Sequence, residues 1–217
     1  MKISDIKEKP ELHDRQEIKD LIFSAIILGI AFNTALLGGG DTFGYLGSFD
    51  FFVYLVPVSL MVLGSLVIKE FFQKFLARNW ESHLKYEMWV PGSIIAFLSS
   101  LIGFVIASAG GVKITTDHRE RYGRWVVNLS SLQLGLLSLQ GISVYLLVAI
   151  LGFMFAPAVS WTIRGTNVFM LLTEMNVFLA IFSLPPLEPL DGENIFRWNV
   201  IMWLMMVFVC VLILFII

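Results

Sequence analysis

Six long apolar runs leave this chain few choices of fold. They are Leu21–Leu37, Phe51–Ile68, Gly92–Ala109, Val126–Phe155, Val168–Leu184 and Val200–Ile217. A bilayer core needs about 20 apolar residues per helix, and lipid cannot satisfy the backbone groups of an open strand or loop. Since 57% of the 217 residues are hydrophobic and 15% are charged, the sequence predicts an all-α polytopic membrane protein with five or six transmembrane helices.

The first 20 residues differ from everything that follows. They alternate acidic and basic residues and lack an apolar stretch before a small-residue cleavage site, so they are not a signal peptide. We expect residues 1–20 to form a charged arm and residues 21–217 to form a single integral membrane domain. The arm carries five Lys or Arg residues and the Gly-rich loop 38–50 carries none. The positive-inside rule therefore predicts a multi-pass protein of the cell membrane with a cytoplasmic N-terminus.

The third apolar run decides the number of spans. Segment 92–109 has about 18 residues and is rich in Ser and Gly, which makes it marginal for a helix that must cross a bilayer. The flanking loops 69–90 and 110–125 carry four Lys or Arg residues each. A spanning segment would place these basic loops on opposite faces, whereas a re-entrant hairpin would keep both cytoplasmic. We favour re-entrance and five spans, with six spans as the alternative.

Ionisable and amide side chains within the apolar runs are the first candidates for function, because such groups are costly inside a membrane. The candidates are Lys69, Glu70, Glu174, Asn176 and, just beyond the fifth run, Asp191. Three prolines at positions 185, 186 and 189 interrupt the helix before Asp191, and the Asp-Gly pair predicts a turn. Asp191 is therefore either a ligand or ion-pair partner that lines a cavity, or a helix cap in the headgroup region.

The segment "NVFLAIFSLPPLEPLDG", residues 176–192, resembles part of the site-2 protease family of intramembrane zinc metalloproteases, especially its short prokaryotic and archaeal members. Those members end their catalytic core with the form N-x-x-L-A-x-F-N-L-I-P-x-x-P-L-D-G. Ser183 replaces the second Asn and Pro185 replaces the Ile. The matching positions are Asn176, Leu179, Ala180, Phe182, Leu184, Pro186, Pro189, Leu190, Asp191 and Gly192. The resemblance covers about residues 50–200 and implies a site-2-protease-like core there.

The stretch "KEFFQKFLAR", residues 69–78, is similar to the same family's H-E-x-G-H-x-x-x-A-R stretch. The resemblance puts Glu70 at the general-base position, Lys69 and Gln73 at two zinc-ligand positions, and Asp191 at a surviving ligand position. Lys69 and Gln73 share one helix face, but an ammonium group repels a dication and an amide oxygen is a weak ligand. We therefore expect no zinc site and no catalysis by Glu70. Phe72 stands where a small residue is usual and should crowd the space further.

Lys69 offers a replacement for the lost metal. We expect its amine to pair with Asp191, aided by Glu70, because a buried cation offsets the desolvation of the carboxylate. Two unrelated charges at the membrane interface are one alternative. A relocated metal site that uses Glu70, Asp191 and His83 is another.

These residues are compatible with three functions. A non-catalytic relative of site-2 proteases, or pseudoprotease, would need no cofactor and would bind transmembrane segments or partner proteins through a metal-free cavity. An active intramembrane metallopeptidase would hold zinc through unorthodox ligands. A small transporter or channel would line a polar path with Glu174, Asn176 and Asp191. The expected surroundings are membrane lipid and transmembrane helices of other proteins, and we expect no nucleic-acid partner.

Overall fold

The computed structural model describes residues 15–36, 48–80, 82–106, 110–115, 129–163 and 165–216. The helices are α1 (Arg15–Ala35), α2 (Phe49–Arg78), α3 (Val90–Ser100), α4 (Ser131–Phe155), α5 (Val168–Phe182), α6 (Asp191–Trp198) and α7 (Val200–Ile216), with a 3₁₀ turn at Ala156–Ala158. The strands are β1 (His83–Met88), β2 (Gly110–Thr115), β3 (Thr162–Ile163) and β4 (Thr166–Asn167). The protein is mostly helical, but the all-α expectation is corrected by two small two-stranded antiparallel sheets.

Several helices have the length and composition that a membrane span requires. Among the described residues, three are long and apolar enough to cross a bilayer: Arg15–Ala35, Phe49–Arg78 and Ser131–Ala158. Three shorter apolar helices accompany them, namely α3, α5 and α7. A polytopic membrane protein is the fold class that these helices support.

The third apolar run is not one straight helix. Helix α3 takes up only its first part, and the chain then turns at residues 101–103 and continues without helix to residue 106. Strands β1 and β2 flank this excursion and pair antiparallel, with Met88 opposite Gly110 and His83 opposite Thr115. The two ends of the segment therefore lie side by side.

Local sequence signals begin the long helices. Ser48 is the N-cap of α2, and its hydroxyl accepts a hydrogen bond from the Phe51 N–H at 3.3 Å. A reciprocal capping box formed by Ser130 and Gln133 begins α4. The Asn167 side chain accepts hydrogen bonds from the N–H groups of residues 169 and 170 at the start of α5. Such caps satisfy backbone donors that a helix start leaves unpaired, so they set where each apolar segment begins.

Helix α4 lies at the centre of the packing. It contacts α2, α5 and α6, while α1 packs on α2 and α3. The core includes Leu28, Val58, Ile142 and Met175, which are fully buried or nearly so. Helix α7 contributes only Cys210 to the buried set, so most of its surface faces outward.

The proline segment between α5 and α6 corrects one local prediction. Helix α5 ends at Phe182, ahead of the prolines, as expected. Asp191 and Gly192, however, open helix α6 and do not form a separate turn. Gly192 donates its N–H to the Ser183 carbonyl at 2.8 Å, and a Cβ atom there would lie 1.8 Å from the Leu184 carbonyl oxygen. This close backbone approach requires glycine and fixes where Asp191 begins its helix.

Part of the expected charged arm is helical. Helix α1 begins at Arg15, so residues 15–20 belong to the first helix. Residues 1–14 and residues 38–47 of the Gly-rich loop lie outside the described residues. The remainder of that loop runs directly into the start of α2.

Candidate functional site

Lys69 and Asp191 form a buried ion pair at the meeting point of α2 and α6. The Lys69 Nζ atom lies 2.5 Å from Asp191 Oδ2, and the two side chains are 3% and 4% exposed. The predicted pairing is confirmed, and Asp191 is not a helix cap, because Leu190 is the N-cap residue of α6. Opposite charges satisfy each other here in a place where either one alone would be costly.

Gln73 completes the polar contacts of Asp191. As the i, i+4 spacing predicts, it lies on the same face of α2 as Lys69 and is 1% exposed. Its Nε2 group donates to Asp191 Oδ1 at 3.3 Å and to the Leu137 carbonyl at 3.0 Å. The carboxylate is therefore bound on one side by an ammonium group and on the other by an amide.

Helix α4 closes the site with two residues that the sequence analysis did not single out. The Lys69 ammonium lies 5.2 Å from the centre of the Tyr145 ring, within cation–π range. The absence of a side chain at Gly141 leaves space for Lys69 and Gln73. A Cβ atom there would lie 2.3 Å from Gln73 Nε2 and 2.8 Å from Lys69 Cε. Neither residue stands near a recognisable motif, and only the helix packing identifies them.

Glu70 belongs to a second polar group, the Lys74 cluster, which consists of Glu17, Glu70 and Lys74. The Lys74 Nζ atom lies 2.5 Å from Glu17 Oε1 and 3.4 Å from Glu70 Oε2. Glu17 also accepts the backbone N–H of Tyr86 at 2.8 Å, which ties α1 to strand β1. Glu70 makes no ion pair with Lys69 and no hydrogen bond to Asp191 among the described residues, so its expected help to the Lys69–Asp191 pair is not a direct contact.

Tyr86 on strand β1, whose backbone N–H binds Glu17, has a buried side chain. Its ring is almost fully buried, and burial raises the pKa of its hydroxyl well above the ordinary value. The hydroxyl therefore stays protonated across the physiological range. Glu17 belongs to the expected charged arm, yet only 4% of its surface is exposed.

Glu174 and Asn176 do not join either group. Asn176 is fully buried and donates from Nδ2 to the Leu172 carbonyl within its own helix at 2.8 Å. Glu174 is half-buried on α5. Within the part of the chain that the structure describes, neither side chain bonds to Lys69, Gln73 or Asp191. Glu174 and Asn176 therefore do not form one hydrogen-bonded group with the Lys69–Asp191 pair among the described residues.

Phe72 corrects another expectation. It does not crowd the site, because 42% of its surface is exposed on the outer side of α2, in edge-on contact with Phe71. The space beside the ion pair is limited by the close packing of α4 on α2 at Gly141. A cavity of about 20 Å³ borders Gln73 and Asp191, which is room for roughly one water molecule.

The donor atoms at this site do not suit a zinc ion. A catalytic zinc site needs three protein ligands, drawn from His, Cys, Asp or Glu, and an open fourth position. Among the described residues, no three such side chains come together. An ammonium group has no lone pair to offer, and Gln73 directs its NH₂ group toward the carboxylate. His13 and His118 lie outside the described residues, and His83 begins strand β1.

Comparison with known proteins gives one informative likeness. No protein-family model matches the chain, and no solved structure matches it. A protein of Methanocaldococcus jannaschii named "Putative zinc metalloprotease MJ0611" is 27% identical over 191 residues, which is 87% of this chain and 87% of that protein. The chain is thus similar along most of its length to a protein named as a zinc metalloprotease, which suggests a metalloprotease family.

Proposed function

We propose that this protein is a non-catalytic relative of site-2 proteases, a pseudoprotease that associates with transmembrane segments or partner proteins without cutting them. The observation that carries the proposal is the buried Lys69–Asp191 pair. When residues 69–78 are compared with the site-2 protease H-E-x-G-H-x-x-x-A-R stretch, Lys69 falls at a zinc-ligand position. Its ammonium group supplies Asp191 with the positive charge that a zinc ion would otherwise supply. Fold alone does not decide activity, and the chemistry of this site argues against hydrolysis.

Glu70 would be idle in this account. A general base in a zinc hydrolase takes a proton from water whose pKa the metal has lowered. Without that water, the Glu70 carboxylate has no activated nucleophile to serve. Its carboxylate lies 3.4 Å from Lys74, one turn along α2, which suits a residue that contributes to packing and not to catalysis.

Partner binding would use the outer faces of the helices. The cavity beside Asp191 holds about 20 Å³, whereas an α-helix with side chains is roughly 10–12 Å wide. A transmembrane segment would therefore meet apolar side chains on the lipid-facing surfaces, and helices α2 and α7 offer many of these. This amends the idea that the former metal cavity itself receives the partner.

The membrane arrangement forms part of the proposal. We propose five spans with a cytoplasmic N-terminus in the cell membrane, and a re-entrant hairpin formed by β1, α3 and β2. The side-by-side pairing of β1 and β2 supports the hairpin. The basic residues on both sides of the hairpin support its position on the cytoplasmic face.

The alternative is an active zinc metallopeptidase with unorthodox ligands, which the name of the Methanocaldococcus jannaschii relative favours. A cleavage assay separates the two. Purified wild-type protein, reconstituted with zinc and a panel of membrane-embedded reporter segments, should leave every reporter intact. Photocrosslinking should still capture reporters at the lipid-facing surface. Zinc-dependent cleavage that is lost in Asp191→Asn would refute the proposal.

A further inference from the structure

Gln73 has a polar atom that the described contacts leave unused. Its Nε2 group makes two hydrogen bonds, but its Oε1 atom is buried without a partner. Reversing the amide does not help, because both groups around Nε2 are acceptors, the Asp191 carboxylate and the Leu137 carbonyl. The orientation is therefore fixed by its surroundings, and Oε1 needs a donor from elsewhere.

A cavity of about 20 Å³ borders the Gln73 side chain and is the candidate place for that donor. Its polar wall consists of Gln73, Asp191, Ser138 and Asn194. Asn194 Nδ2 donates to Ser138 Oγ at 3.0 Å, which holds these two side chains together at the cavity. Three leucines, Leu84, Leu134 and Leu137, form the apolar wall.

We propose that this cavity is a binding site for a single water molecule, held by Gln73 Oε1, the Asp191 carboxylate and the Ser138–Asn194 pair. A buried water needs a polar cavity of roughly 10–15 Å³ or more and two to four polar partners. The cavity meets both conditions. Its size excludes larger ligands, and because Lys69 already balances the charge of Asp191, a neutral molecule is the suitable occupant.

The bound water has a definite role in this account. It donates one hydrogen to the orphaned Gln73 oxygen and the other to Asp191, and it accepts from the Ser138–Asn194 side. The ion pair is then hydrated at its Asp191 carboxylate, which lines the cavity. Leu134, in the apolar wall, is only half-buried, so the cavity lies close to the outer surface of the protein. The site does not depend on whether the protein is a protease.

Radiolytic footprinting of the full chain in detergent tests the site. X-ray exposure produces hydroxyl radicals from bound water, and these oxidise neighbouring side chains, including buried ones. Leu84 and Leu137 are 7% and 4% exposed. We expect both to be oxidised clearly above Leu28 and Leu171, which are buried away from the cavity. Oxidation of Leu137 no greater than that of Leu171 would overturn the proposal.

Two variants with a matched control sharpen the result. Ser138→Val replaces the hydroxyl by a methyl group and adds one more, which removes both a polar partner and the space. Leu134→Phe fills the cavity from its apolar wall and leaves every polar partner in place. Ser143→Val is the control, since Ser143 lies exposed on the same helix and donates to the Leu139 carbonyl.

If water occupies the cavity, Ser138→Val and Leu134→Phe should both lose oxidation of Leu84 and Leu137. Ser143→Val should keep the wild-type level of oxidation. Using two cavity variants protects the test if one of them fails to fold. Unchanged oxidation in a folded Leu134→Phe or Ser138→Val protein would contradict a water in this cavity. Because the readout involves neither zinc nor cleavage, its failure would leave the proposed function untouched.

Discussion

Two groups of charged side chains, the Lys69–Asp191 pair and the Lys74 cluster, include residues of helix α2. They differ in how buried charges are compensated. The Lys69–Asp191 pair is one cation with one anion, both almost fully buried and 2.5 Å apart. In the Lys74 cluster, a single cation that is 20% exposed serves two buried carboxylates, at 2.5 Å and 3.4 Å. The first group has one carboxyl group for its cation, and the second has two carboxyl groups for one cation.

The difference shows where the protein depends on electrostatics. Removing one partner of a balanced buried pair leaves an uncompensated charge in a low-dielectric environment. Removing the more distant carboxylate of a crowded cluster removes a repulsion as well as an attraction. Family resemblance would give Glu70 and Lys69 equal weight, but the contacts make Lys69 the residue that the site requires and Glu70 the one it can lose.

The largest expected effect comes from breaking the balanced pair. Lys69→Met should lower the free energy of unfolding by about 3–5 kcal/mol, because Asp191 stays buried without its cation. Adding Asp191→Asn should recover most of that loss, since neither charge is then present. Unfolding by SDS titration in mixed micelles measures both effects.

A surface pair provides the control for that experiment. Arg197 lies 2.6 Å from Glu193 on α6 but is 73% exposed. Arg197→Met should therefore cost less than about 1 kcal/mol. If Lys69→Met cost no more than Arg197→Met, or if the double variant were no more stable than Lys69→Met, the pair would not be the central contact described here.

A smaller loss is expected when the space around the pair is filled. Gly141→Ala places a methyl group against Gln73 and Lys69 and should destabilise by about 1–3 kcal/mol through overpacking. The same change at Gly64 on α2 meets no heavy atom within 4 Å and should be neutral or stabilising, because alanine favours helix. Equal melting temperatures for the two variants in detergent would show that α4 does not confine the pair.

The smallest expected effects separate the two carboxylates of the Lys74 cluster. Glu17→Gln weakens the contact with Lys74, and we expect a loss of about 1–2 kcal/mol. Glu70→Gln removes a carboxylate that lies 3.4 Å from Lys74. It should change stability by less than about 1 kcal/mol, because the lost attraction to Lys74 is offset by relief of burial and of repulsion from Glu17. Thermal melting of both variants measures this order. A Glu70→Gln protein less stable than Glu17→Gln would reverse the comparison.

The sequence predicted the contacts that helix periodicity and one motif control. The i, i+4 spacing placed Lys69 and Gln73 on one face, and the L-D-G segment supplied Asp191 as their partner. The Glu70–Lys74 pair has the same spacing and could have been predicted in the same way. A stripe formed by Ile68, Phe72 and Phe75, all exposed, could also have shown that Phe72 faces outward.

Other features depend on contacts between distant parts of the chain. Glu17 lies in an acidic and basic stretch that reads as solvated, and it is buried only because α1 packs against Lys74 and β1. Gly141 and Tyr145 reach the site through the packing of α4 on α2, which no local pattern encodes. The β1–β2 sheet could not be predicted from local sequence, because its two strands lie on opposite sides of the third apolar run.

Metal analysis tests the central claim most directly. Wild-type protein, purified in detergent with zinc and washed, should retain far less than one zinc ion per chain. The Lys69→His, Gln73→His double variant should retain close to one, because two imidazoles then join Asp191. A wild-type protein that holds one zinc ion per chain, and loses it in Asp191→Asn, would contradict the claim that an ammonium group stands in for the metal.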